Sequence, residues 1–247
     1  MMDDRWLRRF HPAEGAPVRV LCLPHAGGSA SFFFPLSAAL GAGVETLAVQ
    51  YPGRQDRRGE APVESITGLA RLVAAALDPA DRRPLVLFGH SMGALVAYEL
   101  ARLLQGQPGR AVGALVASGR RAPSCARPET VHLRDDAGVL AELKSLSGTD
   151  SRLLGDDELL AMILPAIRAD YTALGGYRHA DGPGLSCPVT ALVGDADPVT
   201  EVAEARAWAG HTSGAFDLRV FPGGHFFLAD HQREVTEVIA LAAKALI

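Results

Sequence analysis

Cysteine is scarce and scattered. Cys22, Cys125 and Cys187 stand far apart in a chain of 247 residues, with no C-x-x-C pair. An odd, dispersed set supports neither a disulfide framework nor a zinc site, and it fits a reducing cytoplasm. No apolar run approaches the roughly 20 residues that a membrane-spanning helix needs. The first residues, Met1-Met2-Asp3-Asp4-Arg5-Trp6, lack the apolar core of a secretory signal. Excess charge of one sign is missing too. Lys and Arg number 24 against 28 Asp and Glu, a net charge of −4, which gives no electrostatic ground to expect nucleic acid. Repeats and low-complexity tracts are absent. What remains is a globular balance of 48% hydrophobic and 21% charged residues, which argues against a disordered chain. A cytoplasmic protein without membrane or nucleic-acid partners is expected.

Apolar runs and helical patterns alternate along the chain. Strand-like runs fall at Arg19–Leu23, Val44–Val49, Leu85–Phe88, Val112–Ser118, Val189–Val193 and Phe216–Phe221. Helix-like stretches fall at Phe32–Leu40, Ser65–Leu77, Gly93–Leu104, Thr200–Trp208 and Gln232–Leu246. Buried strands alternating with helices predict an α/β fold with a mostly parallel sheet covered on both faces. One interval breaks the rhythm. Between Gly119 and Cys187 no strand pattern occurs, only helical patterns at Ala137–Leu146 and Asp156–Leu174. A structureless loop of that length is improbable in a compact domain. The expectation is a helical insertion over the carboxyl edge of the sheet, where ligands of open α/β sheets sit.

The sequence Gly89-His90-Ser91-Met92-Gly93 is a G-x-S-x-G pentapeptide between the run Leu85–Phe88 and the Ala- and Leu-rich stretch from Ala94 to Leu104. A sharp strand-to-helix turn forces the tip residue into a strained conformation, and glycines two residues either side let the chains pass without Cβ clashes. Ser91 then stands clear of the sheet as a nucleophile. Met92 opens the helix, so its N–H has no intrahelical partner and is free to meet an oxyanion. Five-residue patterns with two glycines also arise by chance; the flanking strand and helix argue against that here.

A serine hydroxyl needs a base, and the base an orienting acid. In this architecture the chain order is serine, acid, histidine. His225, in Pro222-Gly223-Gly224-His225-Phe226, follows a core strand and has glycine freedom beside it. His25 and His90 lie beside the nucleophile and are expected to make local structural hydrogen bonds. His132 and His179 flank the insertion, His211 sits in a loop, and His11 and His231 in terminal segments. For the acid, Gly194-Asp195-Ala196-Asp197-Pro198 offers two carboxylates. Pro198 cannot donate an N–H and fixes the turn, which favours Asp197; Asp195 has the look of a turn-stabilising aspartate. A second oxyanion donor is expected from the loop Leu23-Pro24-His25-Ala26-Gly27-Gly28, at Ala26 N–H.

Six segments together resemble the stand-alone type II thioesterases that accompany polyketide and non-ribosomal peptide synthases. They are Pro24-His25-Ala26-Gly27-Gly28-Ser29, Tyr51–Arg57, Gly89–Ala94, Leu164–Asp170, Gly194–Pro198 and Gly223–Phe226. The G-x-S-x-G and Gly-Gly-His pieces are generic to α/β-hydrolases, whereas the His-Ala-Gly-Gly, Pro-Gly-Arg and Arg-Ala-Asp pieces are more particular. The resemblance implies one α/β-hydrolase domain over residues 1–247, with a lid at about 134–176 and the acid at Asp197. It implies hydrolysis of acyl thioesters from the phosphopantetheine arms of acyl or peptidyl carrier proteins, by a monomer that needs no cofactor or metal. Arg54, Arg57, Arg58, Arg120, Arg121 and Arg127 would form a basic rim for an acidic carrier domain, or be ordinary solvated loop arginines. Apolar residues of the insertion, among them Leu140, Leu143, Met162, Ile163 and Leu164, would divide between packing and an acyl tunnel. A general carboxylesterase or lipase acting on oxyesters is the nearest rival, and a non-catalytic hydrolase-fold binding protein a more distant one.

Overall fold

The computed structural model describes residues 2–107, 112–125, 127–146 and 157–247. Among these residues seven strands form one sheet: β1 (Leu7–Arg8), β2 (Arg19–Leu23), β3 (Glu45–Val49), β4 (Leu85–His90), β5 (Val112–Ser118), β6 (Val189–Gly194) and β7 (Phe216–Phe221). Their order across the sheet is β1-β3-β2-β4-β5-β6-β7. Every pairing is parallel except the edge pair, where Leu7 lies against Val49 antiparallel. The six expected strands are all present. β1 is the addition, and two residues leave no periodicity to find.

Parallel strands buried on both faces explain the near-continuous apolar runs. Leu21, Leu23, Leu85 and Leu87 face one core, shared with helices α2 (Ile66–Ala76) and α3 (Met92–Gln105). Val20, Cys22, Val86 and Phe88, one residue out of phase, face the other. That second core is closed by α1 (Phe34–Leu40) and α8 (Gln232–Lys244). The one-residue alternation is the pleat of the strand made visible. α2 begins where Ser65 accepts the Gly68 N–H at 3.1 Å, an N-cap that satisfies one orphan donor of the first turn.

Between β5 and β6 lie α4 (Asp136–Ser145) and α5 (Asp157–Gly176), close to the two helical patterns expected there. Residues 147–156 of the expected insertion are outside the described residues. Asp135 caps α4 by accepting the Gly138 N–H at 2.8 Å. The helix expected at Thr200–Trp208 is shorter: α6 (Val202–Arg206) runs into a 3-10 turn at Ala207–His211. A further short helix, α7 (Phe227–Asp230), directly follows the histidine loop.

Candidate active site

The carboxyl ends of β2, β4, β6 and β7 deliver the loops that carry the candidate residues. β4 leads straight into Ser91, whose backbone sits at φ 53°, ψ −116°, a region that side chains other than glycine rarely occupy. Close approach makes that conformation unavoidable. A Cβ on Gly89 would overlap the carbonyl of Gly93, and a Cβ on Gly93 would overlap the carbonyl oxygen of Leu23. Ser91 N–H is anchored to Ser118 C=O at 2.8 Å on the neighbouring strand. The serine therefore crowns a turn fixed from three sides. Met92 is the first residue of α3, so its N–H lies outside the helix ladder.

His225 joins the other two candidates. Its Nε2 lies 2.9 Å from Ser91 Oγ and its Nδ1 lies 2.9 Å from Asp197 Oδ2. The His225 side chain is 2% exposed and that of Asp197 is fully buried. The second oxygen of Asp197 accepts the N–H groups of Val199 and Thr200, at 2.9 and 3.2 Å. Pro198, directly after the aspartate, has no N–H to offer, so the carboxylate bonds the next two residues instead. Asp195 does stabilise a turn, though not its own. It accepts the Gly223 N–H at 2.9 Å and so ties the acid loop to the histidine loop.

His25 and His90 surround His225 without joining the hydrogen-bonded series. The His90 ring lies 5.1 Å from that of His225, and its Nδ1 lies 3.0 Å from Ser118 Oγ. Complete burial holds its pKa well below the ordinary histidine value. His25 packs edge-on against Phe32 and Phe226, and burial pushes its pKa down to about 3. Both rings are neutral at pH 7. His90 makes the local hydrogen bond expected of it; His25 makes ring contacts instead. His132 lies against Gly175 of α5 and His179 against Tyr98 and His211, while His231 bonds Pro222 C=O at 3.0 Å and His11 bonds Ser37 at 3.1 Å.

Ser91, His225 and Ala26 open onto a cavity of about 600 Å³. Leu143 of α4 and Met162, Ile163, Ile167 and Leu174 of α5 supply its apolar wall, and Tyr171 lines it as well. Leu140 and Leu164 instead pack against the first core. Tyr177 turns elsewhere, donating to Glu99 Oε1 at 2.7 Å.

Of the six arginines expected as a basic rim or as solvated loop residues, four, Arg54, Arg57, Arg120 and Arg121, are buried in ion pairs. Arg54 bonds Asp170 at 2.8 Å, and Arg57 bonds Glu60 while stacking over Trp6 at 4.4 Å. Arg120 and Arg121 share one oxygen of Glu129. Arg127 pairs with Glu201 and Glu204, at 2.7 and 2.9 Å. Of the six, Arg58 and Arg127 are exposed. Desolvating a guanidinium is costly without a carboxylate, so the loops that bury these residues also carry their partners. Sequence order hid the pairs: Asp170 lies more than 100 residues from Arg54.

The family model described as "Thioesterase domain" matches residues 18–242. The chain belongs to the thioesterase family. It is thus a hydrolase acting on thioesters. It is 52% identical over 238 residues to the "Probable cadicidin biosynthesis thioesterase" of Streptomyces griseus, covering 96% of this chain and 66% of that protein. It is 52% identical over 236 residues to "Thioesterase PikA5" of Streptomyces venezuelae, covering 95% of this chain and 84% of the relative. Among solved structures, the type II thioesterase BorB from the borrelidin biosynthetic cluster superposes with a TM-score of 0.91 at 48% identity, covering 98% of this chain and 99% of BorB. The expected resemblance to type II thioesterases and the α/β-hydrolase fold are borne out. Among the described residues, no helix of this thioesterase is long and apolar enough to cross a membrane.

Proposed function

We propose that this thioesterase removes acyl groups from the phosphopantetheine arms of carrier proteins, through an acyl-serine formed on Ser91. One observation carries the reading: Ser91, His225 and Asp197 are hydrogen-bonded in series, at 2.9 Å and 2.9 Å, at the mouth of a cavity with an apolar wall. His225 Nε2 takes the Ser91 proton as Oγ attacks the thioester carbonyl. Asp197 holds Nδ1–H and so fixes the tautomer and balances the imidazolium that forms. The N–H groups of Met92 and Ala26 receive the oxyanion. Collapse breaks the C–S bond, and the departing thiolate takes the proton from His225. A pantetheine thiol, with a pKa near ~8.5, leaves far more readily than an alkoxide. Water, deprotonated by His225, then attacks the acyl-serine, and Ser91 recovers its proton as the free acid departs. No step calls for a metal or redox cofactor.

On this reading the chain is a single hydrolase domain, in which residues 134–176 act as a lid and the acyl chain lies along α4 and α5. Relatives named for cadicidin biosynthesis and for the borrelidin biosynthetic cluster support a role beside a polyketide or peptide synthase, clearing stalled or misprimed acyl groups so that the carrier thiol is free again. The test is release of short acyl groups from holo-carrier protein by wild type and Ser91→Ala, with a matched oxyester alongside. Release that vanishes in the variant and exceeds oxyester cleavage is the expected result. A preference for the oxyester would make the protein a general esterase, and no turnover of either would leave a binding protein.

A further inference from the structure

Asp170 is a carboxylate on the apolar face of α5. Its neighbours at helical spacing, Ile163, Ile167 and Leu174, line the cavity, as does the adjacent Tyr171, and Asp170 itself is 1% exposed. A buried carboxylate persists only where its charge is matched and its oxygens are bonded. Oδ1 accepts from Arg54 Nη2 at 2.8 Å, and Oδ2 accepts the backbone N–H of Gly27 at 2.7 Å. Arg54, also buried, donates through Nη1 to the Gly28 carbonyl oxygen at 3.2 Å. Both halves of the charge pair therefore grip the same turn.

That turn is His25–Gly28, closed by Gly28 N–H to His25 C=O at 2.9 Å. Gly27 sits at φ +73°, the value of the third residue in a type II turn. Among the described residues no peptide bond is cis, so Ala26 N–H points opposite to His25 C=O, out of the turn. Types I and II differ by a half-rotation of the central peptide, here Ala26–Gly27. Asp170 accepts the N–H of that very peptide. The type I form would turn the Ala26 carbonyl oxygen towards the carboxylate, oxygen against oxygen. Asp170 thus selects between the two forms.

We infer that Asp170, held by Arg54, is a positioning residue that anchors the His25–Gly28 turn at Gly27 N–H and Gly28 C=O and so fixes where Ala26 N–H stands as an oxyanion donor. The inference rests on the proposed roles of Ser91 and Ala26. It also makes α5 serve two ends at once, since one helix lines the acyl cavity and orients the oxyanion loop.

Two double variants test it, each removing both charges together so that no lone ion stays buried. Arg54→Met with Asp170→Leu deletes the clamp. Arg54→Gln with Asp170→Asn keeps an acceptor for Gly27 N–H and a donor for Gly28 C=O. With an acyl-pantetheine thioester, the apolar pair is expected to lower kcat by about 10–100-fold with little change in KM, the pattern of an interaction made only in the transition state. The amide pair is expected to recover about tenfold of that loss. Wild-type kcat in both variants, or an equal loss in both, would overturn the inference. Hydrogen exchange at the Gly27 amide of the wild-type protein is a check that needs no variant: the residue is exposed, yet its amide should be protected, and exchange at the rate of a free amide would also overturn it. Failure of the underlying reading is distinct, because Ser91→Ala would then retain turnover.

Discussion

Gly93 passes so close to Leu23 that a Cβ on the glycine would overlap the Leu23 carbonyl oxygen, with the Pro24 carbonyl oxygen next at 2.7 Å. Both obstacles are backbone, so no side chain can swing aside. α3 reaches the sheet only because position 93 carries no side chain, and that close seat places Met92 N–H beside the β2 loop. Gly93→Ala is therefore expected to cost about 3 kcal/mol or more, at the upper end of overpacking penalties. Gly59→Ala, in open space, should stay within about 0.5 kcal/mol of wild type. Urea unfolding of the two variants side by side checks this, and equal midpoints would refute it.

Ser91 holds a positive φ of 53° without being glycine. Such strain costs on the order of 1–3 kcal/mol and is kept where function needs the geometry. Ser91→Gly is expected to be about 1 kcal/mol more stable than Ser91→Ala, because alanine keeps the strained backbone and glycine relieves it. Both lose turnover. Thermal unfolding of the pair decides the matter: an alanine variant as stable as the glycine variant would mean that the turn is unstrained.

The parts of this site that could be seen in the sequence are those built from local necessity. Gly89 and Gly93 mark a close approach, Ser91 lies between them, and Gly223-Gly224 precede the histidine that follows the last strand, β7, which the structure places at the sheet edge with only Phe221 buried. Asp197 could be favoured over Asp195 because Pro198 has no N–H to donate and fixes the turn that follows. Pairings across long separations left no such mark. Arg54 with Asp170, and Arg120 and Arg121 with Glu129, are ordinary charged residues until the sheet brings their loops together. Asp170 did carry a signal, an acid at helical spacing from Ile163, Ile167 and Leu174 and far from the two acids that open α5, and an acid there needs a partner. β1 and α7 are too short for any period to register.

Asp197→Asn tests the orienting role directly. The amide keeps the shape but can donate to Nδ1, which turns the imidazole to the tautomer that cannot accept the Ser91 proton. A fall in kcat of about 10⁴ is expected, with the melting temperature near that of wild type. Asp195→Asn, which keeps an acceptor for the Gly223 N–H, should lose less than tenfold. Equal losses in the two variants would move the acid away from Asp197.

Glu129 neutralises two guanidiniums through one oxygen, with Arg120 and Arg121 each more than nine-tenths buried. Desolvation already pulls the Arg120 pKa down, against the pull of Glu129. Glu129→Gln leaves both cations without a carboxylate and is expected to cost about 3 kcal/mol. Glu64→Gln, at an exposed position, should be neutral. Denaturant titration of both variants checks it, and a neutral Glu129→Gln would mean that water reaches the pair.

Acid should destabilise the fold before its carboxylates titrate. His90 is wholly buried with a pKa held well below normal, and burial lowers His25 to about 3 and His211 to about 4. In the unfolded chain each would take up a proton near pH ~6.5. Below that pH the unfolded state binds more protons than the folded one, so stability rises with pH there. The contribution is complete above pH ~6.5 and is lost as pH falls towards the folded values. Each ring adds a slope of up to about 1.4 kcal/mol per pH unit. Urea midpoints are expected to drop between pH 7 and pH 5, and His90→Asn should remove one proton's worth of that slope; equal midpoints at the two pH values would contradict it. The same neutrality bears on the proposed chemistry. Of three rings packed together at the sheet edge, only His225 bonds a carboxylate among the described residues. A proton taken from Ser91 therefore meets one stabilising charge and no competing cation from His25 or His90.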